Sequence, residues 1–403
     1  MKKSLFFPLC MAFFFVCTLH AQTWTNYTSN DGLIDGYISS IIQDSDGTFW
    51  FGDWVFDTSA GIGSFDGTNW NSFSTDDGAV SNAIFSMLQD SQGTYWFGSI
   101  DAGLSKFDGT DWTTYTMIDG LFGDNIYHIL EDKDNYLWFC HFGGVTKYDG
   151  NNNWVSLDPT QGMPAAQYFT QIQDREGNFW FGGVGDVGVV FYDTSVFTTI
   201  TTADGLSSND VYVIFQDSND NIWFGNYDNV GLDRYNGTSI STFTVADGLS
   251  GNSVRAIGED SIGNLYFGTN FGLSVYDGSQ WSILDTTDGL IENHVRAIIE
   301  DDEGNMWFGT WGGVSKYNPT LGVFETLEES FTIYPNPASS ILNINAKVSI
   351  TLIQLYSMDG KELTSLKGDQ LNSIDLSAFP SGSYLLKVTS VDNKVGFQRV
   401  LLR

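Results

Sequence analysis

The chain has 403 residues, enough for one large repeat domain and a smaller second one, and its formal net charge is −32. Residues 22–330 carry 44 acidic side chains against eight basic ones. A surface that acidic repels phosphate backbones and anionic headgroups, which argues against nucleic acid and membrane surfaces as partners and leaves cations, neutral sugars or basic proteins.

Residues 1–21 read as a signal peptide. Lys2 and Lys3 precede an apolar run from Leu5 to Leu19, and Ala21 supplies a small residue for cleavage before Gln22. Phe14-Phe15-Val16-Cys17 lacks the small residues of a lipoprotein site. No other stretch is apolar for long enough to span a bilayer, so the expectation is a mature chain without a transmembrane segment. Cys10 and Cys17 fall in this leader, and Cys140 alone can form no intramolecular disulfide. Cys140 stands where most repeats have Gly and reads as a small buried strand residue.

Residues 22–328 repeat. Trp50, Trp96, Trp138, Trp180, Trp223, Tyr266 and Trp307 each precede a Phe, at spacings of 46, 42, 42, 43, 43 and 41 residues. An Asp stands six positions before each: Asp44, Asp90, Asp132, Asp174, Asp217, Asp260 and Asp301. Asp-Gly recurs at 31–32, 77–78, 119–120, 204–205, 247–248 and 288–289, and becomes Gln161-Gly162 in the fourth repeat. A period of about 40–50 residues indicates a propeller or a solenoid. Each unit holds short apolar segments joined by Asp/Gly/Asn turns, with no helical periodicity. Four-stranded units repeated seven times predict a closed seven-bladed β-propeller, since closure removes the sheet edges. Two segments compete for the last outer strand, Trp24–Tyr27 and Phe324–Leu327. The former fits better, because Trp70, Trp112, Trp154 and Trp281 open the equivalent strands.

The pattern across residues 288–317, from Asp288-Gly289-Leu290 through Trp307-Phe308-Gly309 to Val314-Ser315-Lys316-Tyr317, resembles the two-component regulator propeller repeat. The likeness covers residues 24 to about 323 and implies the fold of periplasmic sensor regions, many of which respond to oligosaccharides. It does not supply the kinase of those sensors, so kinase signalling by this chain alone is not expected.

Residues 329–403 change in composition. Tyr334-Pro335-Asn336-Pro337 marks a boundary. Strands are expected at Ile341–Ile344, Ser349–Tyr356, Lys361–Leu366, Ser373–Leu376, Gly382–Val388 and Val395–Leu402, with a hairpin turn at Met358–Lys361. About six or seven short strands in so few residues indicate a small immunoglobulin-like β-sandwich. Tyr334–Ala338, Leu355–Leu363, Pro380–Leu385 and the tail Gln398–Arg403 resemble the type IX secretion sorting domain of Bacteroidota. That resemblance implies contact with the type IX machinery through residues 331–403 and a protein released outside the cell or held on its outer surface. A small carbohydrate-binding sandwich is the alternative for the same fold.

Propellers bind on the face where the outer-to-inner connections and the second-to-third strand loops emerge. Five residues before each register Asp stand Ser39, Phe85, Tyr127, Phe169, Tyr212, Arg255 and Arg296, at the mouth of the channel. Aromatic faces stack on sugars and an Arg fork pairs carboxylates, so this rim is expected to bind a glycan, with an acidic group near Arg255 and Arg296. The rival is a plug, the arginines neutralising nearby Asp and Glu. The second-to-third strand loops add Trp54, Asp101, His141, Phe142, Asp186, Tyr227, Asp228, Phe271 and Trp311, with Trp54-Val55-Phe56-Asp57 on a longer loop in blade one. The ligand-binding set is taken as Phe85, Tyr127, Phe169, Tyr212, Arg255 and Arg296, together with Trp54 and Trp311.

Catalysis finds little support. His141 and His294 lie on blades nearly across the ring, and no nucleophile motif or phosphate loop is present. The Asp-x-x-Gly turns lack the ligand count of a calcium loop and read as hairpin turns, so neither a metal nor a cofactor is expected. The expected function is an extracellular propeller recognising oligosaccharide or polysaccharide. The alternatives are a propeller-fold lyase acting on a polysaccharide or small molecule, and a scaffold that binds another surface protein.

Overall fold

A computed structural model describes residues 23–34, 36–54, 61–319, 331–357, 362–368, 371–391 and 395–403. The leader, Phe324–Leu327, Val55–Asp57 and the turn at Met358–Lys361 lie outside the described residues. The chain divides into two compact units, Thr23–Pro319 and a C-terminal one.

The first unit is seven four-stranded antiparallel sheets. Blade one runs Ile38–Gln43, Phe49–Asp53, Ile62–Phe65 and Trp70–Phe73, and the next five blades follow the same order from channel to rim. Blade seven takes Val295–Glu300, Met306–Thr310 and Gly313–Asn318 from its own repeat. Its outer strand is Thr23–Tyr27 from the start of the chain, with Trp24 opposite Tyr317. The N-terminal candidate therefore closes the ring.

The register Asp holds each blade's first hairpin. Its Oδ2 accepts the indole N–H six residues on: Asp44 from Trp50 at 2.8 Å, Asp132 from Trp138 at 2.7 Å, Asp301 from Trp307 at 2.7 Å. In blade six Tyr266 donates its hydroxyl to Asp260 instead, at 3.1 Å. The other carboxylate oxygen accepts backbone N–H groups of the turn, as Asp217 does from Asn219 and Asn221. These carboxylates are spent on turn and indole donors, which accounts for Asp-x-x-Gly without a cation. Each indole packs against the following blade: Trp50 lies with Ile84, Met87 and Phe97, and Trp307 with Ile38, Phe49 and Phe51 across the closure.

The second unit is a β-sandwich. Phe331–Tyr334, Ile341–Ala346 and Ser373–Asp375 form one sheet; Glu362–Lys367, Ile350–Ser357, Gly382–Ser390 and Val395–Leu402 form the other. Leu342, Ile344 and Ile374 of the first face Ile353, Leu386 and Val400 of the second in one core. The strand Phe331–Tyr334 was not expected from the sequence; it immediately precedes the two prolines read as a boundary.

Candidate functional site

The innermost strands do not alternate cleanly. In blades one, two, four, five and seven the ladder shifts register across the residue five before the Asp: between Ile38 and Ser40, Ile84 and Ser86, Tyr168 and Thr170, Val211 and Val213, and Val295 and Ala297. Ser39, Phe85, Phe169, Tyr212 and Arg296 are thus the extra residues of β-bulges, a device that re-aims a side chain next to a site. Tyr127 and Arg255 reach the same position just before their strands, each donating its N–H to the neighbouring strand at Cys140 and Gly268.

All seven register residues line one cavity of about 390 Å³, and Trp54 joins them. The rings touch in sequence around it. Trp54 meets Phe85 at 6.4 Å, Phe85 meets Tyr127 at 5.9 Å, and Tyr127 meets Phe169 at 4.6 Å. Phe169 stacks on Tyr212 at 4.2 Å, and Tyr212 meets Tyr227 at 5.4 Å. Arg255 places its guanidinium 4.0 Å from the Tyr227 ring, and Arg296 stands 5.7 Å from Trp54 and 5.3 Å from Trp311. Ser39 contributes no ring; its hydroxyl donates to the carbonyls of Gly52 and Ile84. Below the rim the wall is largely aliphatic, with Ile41, Met87, Ile129, Ile214, Ile257 and Ile298.

The arginines are half-buried and make no ion pair or hydrogen bond with any described residue. Among the described residues, no Asp or Glu neutralises them as the rival plug reading requires. Burial, and then the adjacent Arg255 charge, pull Arg296 down to about 10; burial also lowers Arg255. Burial raises Tyr212 despite both guanidiniums.

Trp311 is outside the cavity wall but stacks on His294 at 4.4 Å and 3°, and His294 Nδ1 lies 2.7 Å from Glu292 Oε1. Tyr37, 41% exposed and 5.9 Å from Trp311, extends this cluster and was missed. Register comparison finds it, since Tyr37 and His294 both stand seven before their Asp. Tyr227, Phe142 and Phe271 are exposed at the loop tips on the same face. His141 is not a rim residue. It occupies the buried position also held by Asp53, Ser99, Asn226, Thr269 and Thr310, where small polar groups tie down the loop, and burial holds it at about 4. Asp186 and Asp228 accept side-chain hydrogen bonds from Asn209 and Ser208, and Asp101 from Ser81.

Seven four-stranded sheets around an aromatic-mouthed channel, followed in the chain by a small β-sandwich, define a seven-bladed repeat propeller with a C-terminal β-domain. Residues 32–54, 78–101, 120–143, 205–228, 248–271 and 289–312 match the two component regulator propeller, and 332–402 match the secretion system C-terminal sorting domain. The chain is thus a two component regulator propeller carrying a type IX sorting tail, which directs it to the cell surface or outside. The one blade without a match is the fourth, where Gln161-Gly162 replaces Asp-Gly, yet Gln161 builds the same capped turn with Asp158. No curated protein matches the sequence significantly.

Among solved structures, the chain is similar to the extracellular domain of a protein described as a hybrid two component system from B. thetaiotaomicron, with 20% identity, TM-score 0.66, and coverage of 94% of this chain and 57% of that one. PorZ, a surface component of the type-IX secretion system of Porphyromonas gingivalis, gives 17% identity, TM-score 0.58, and coverage of 92% and 60%. A catalytically inactive virginiamycin B lyase from Staphylococcus aureus gives 12% identity, TM-score 0.60, and coverage of 73% and 99%. The chain spans about three fifths of the length of the first two. These likenesses speak for the fold.

Proposed function

We propose that this protein is a secreted or surface-held binding propeller that takes an oligosaccharide, or a stretch of polysaccharide, at its channel mouth. The observation that carries the reading is the unbroken run of rings from Trp54 to Tyr227 around a cavity of about 390 Å³, ringed by the exposed Phe142, Phe271 and Tyr37. Sugars present C–H faces that aromatic rings cover, and a concave, largely apolar site with a few polar groups is where such ligands bind. A sorting tail that carries the chain out of the cell brings it to where polysaccharide is met.

The test is a glycan-array screen of the full chain beside Tyr127→Ala and Tyr227→Ala. Selective binding, weakened about tenfold in each variant by the loss of stacking worth about 1–2 kcal/mol, is expected. No binding to any glycan would overturn the reading and favour a protein-binding scaffold. A second reading rests on the His294–Glu292 pair at 2.7 Å beside the same mouth, the geometry of a general base held by a carboxylate. Breakdown of quinupristin or of a polysaccharide by the full chain, abolished in His294→Ala, would select a lyase instead.

A further inference from the structure

We propose that the channel mouth selects acidic saccharides, holding a carboxylate or sulfate of the ligand between the guanidinium groups of Arg255 and Arg296. The inference rests on the carbohydrate reading above and names the ligand's charge.

Basic side chains are scarce in the propeller: four of the eight are tied to carboxylates or carbonyls, and Lys106 and Arg234 lie over the rings of Trp96 and Trp223. Lys147 pairs with Asp132 at 3.8 Å, Lys316 with Asp301 at 3.5 Å, and Arg175 with Asp220. Lys133 donates to the carbonyls of Asp174 and Arg175. Arg255 and Arg296 pair with nothing among the described residues, although 44 acidic side chains are available in residues 22–330. Three carboxylates of blades five to seven are engaged elsewhere: Asp210 accepts the backbone N–H groups of Gly185 and Asp186, Asp228 accepts from Ser208, and Glu292 accepts from His294. A mouth built only to be filled has no use for two adjacent like charges, which cost free energy when removed from water without a counter-ion.

The partners these arginines do have leave an anion's place open. Arg255 lies over Tyr227, and Arg296 lies near Trp54 and Trp311. Ring contacts of this kind fix a guanidinium while its edge N–H groups remain free to grip a planar or tetrahedral anion. Each Nε is buried without an acceptor, so the terminal nitrogens are the atoms that can serve. The depressed Arg296, held down by burial and then by Arg255, is the strain that a bound anion relieves. The chain's overall field opposes an anion at long range, so selection operates at contact, inside a Debye length of about 8 Å.

The test is thermal-shift and calorimetric titration of the full chain with methyl glucuronide, glucose 6-sulfate and neutral methyl glucoside, with acetate and sulfate as free-anion probes. The charged sugars are expected to bind at least tenfold tighter than the neutral one, and which of the two binds tighter identifies the anion. Arg255→Gln/Arg296→Gln is expected to abolish that preference, bringing the charged sugars down to the affinity of the neutral one. Arg296→Lys, which keeps the charge and loses the fork, is expected to fall between, and serves if the double variant does not fold. Equal affinity for charged and neutral sugars, unchanged in the variants, overturns this inference and leaves the carbohydrate reading intact. Free anions that bind and are lost in the variants, with no saccharide bound at all, overturn the carbohydrate reading and with it the saccharide selection, leaving an anion site between the two arginines. Silence from every probe overturns both.

Discussion

At Asp217 one carboxylate serves four donors: two turn N–H groups on Oδ1, and the Trp223 indole and the Asn221 side-chain amide, each at 2.8 Å, on Oδ2. Asp217→Asn sets an amide N–H₂ against either the indole or the turn, leaving two donors face to face in a buried place. A loss of about 2–3 kcal/mol is expected, read as a lower denaturation midpoint at unchanged m-value. The Asp register itself is plain in the sequence; why it precedes the aromatic by six becomes clear only when the hairpin brings the two together. His141 carries a second prediction. Burial depresses it to about 4 in the folded protein against an ordinary value of 6.5, so between those values the unfolded chain binds a proton that the folded chain refuses. Its contribution is fully present above about pH 6.5 and is lost as the pH falls toward 4, by about 3 kcal/mol at the limit. Urea titrations at pH 7.5 and pH 4.5 should show this loss in the native protein and a smaller one in His141→Asn. Equal losses would assign the acid sensitivity elsewhere.

Between elements, the repeat is a set of paired compromises. Gly32, Gly78, Gly120 and Gly248 sit at positive φ under Trp70, Trp112, Trp154 and Trp281, where a Cβ would meet the tryptophan side chain at 2.5–2.9 Å. Gly162 and Gly205 lie under Phe197 and Ile240, at 4.0 and 3.8 Å, so the strain there is that of φ alone. Gly205→Ala should therefore cost about 1–2 kcal/mol and Gly120→Ala roughly 2 kcal/mol more, a difference that thermal melts resolve. The glycine after each Trp-Phe follows the same logic. At Gly52, Gly98, Gly268 and Gly309 a Cβ would lie 2.6–3.1 Å from a β-branched residue of the next blade. Blade three has Cys140 there because blade four offers the unbranched Tyr168 in its place. The sequence shows the Cys-for-Gly exchange, but its cause lies some 28 residues further on, in a different blade. The strands themselves were legible from apolar runs and Asp/Gly turns, and the rim residues from register alone. The bulges were not. Ile38-Ser39-Ser40-Ile41 breaks the period of two, and only the observed ladder shift shows that Ser39 and its equivalents turn into the channel. His141 was misplaced for a related reason: loop membership was read from sequence distance, while its register position is buried in nearly every blade.

Across the whole propeller, two rings hold the blades in a circle. Near the channel, the last side chain of each innermost strand accepts an N–H from the turn of the preceding blade, at 2.7–3.0 Å: Gln89 from Ser45, Glu131 from Ser91, and so on to Glu300 from Ser261. Asp302 then donates to Gln43 and closes the circle between blades seven and one. At the rim the closure is Thr23–Tyr27 against Gly313–Asn318. Trp24 packs 4.6 Å from Tyr317, Tyr27 stacks on Trp307, and Asn26 ties Ser315 to the carbonyl of Gly289. Blade seven thus depends on a strand joined to the rest of the sheet by no short connection. Without residues 23–28, Gly313–Asn318 becomes an open edge, and the indole that covers Gly289 is lost. The deletion is expected to lower the melting temperature sharply, to raise hydrogen exchange first across residues 306–318, and to promote association between chains. Trp24→Ala, which keeps the backbone pairing, is expected to lose about 2–4 kcal/mol while the exchange pattern stays uniform. If the deletion melts like the intact protein, another segment completes the sheet, and Phe324–Leu327, whose sequence fits an outer strand less well, becomes the one that closes the ring.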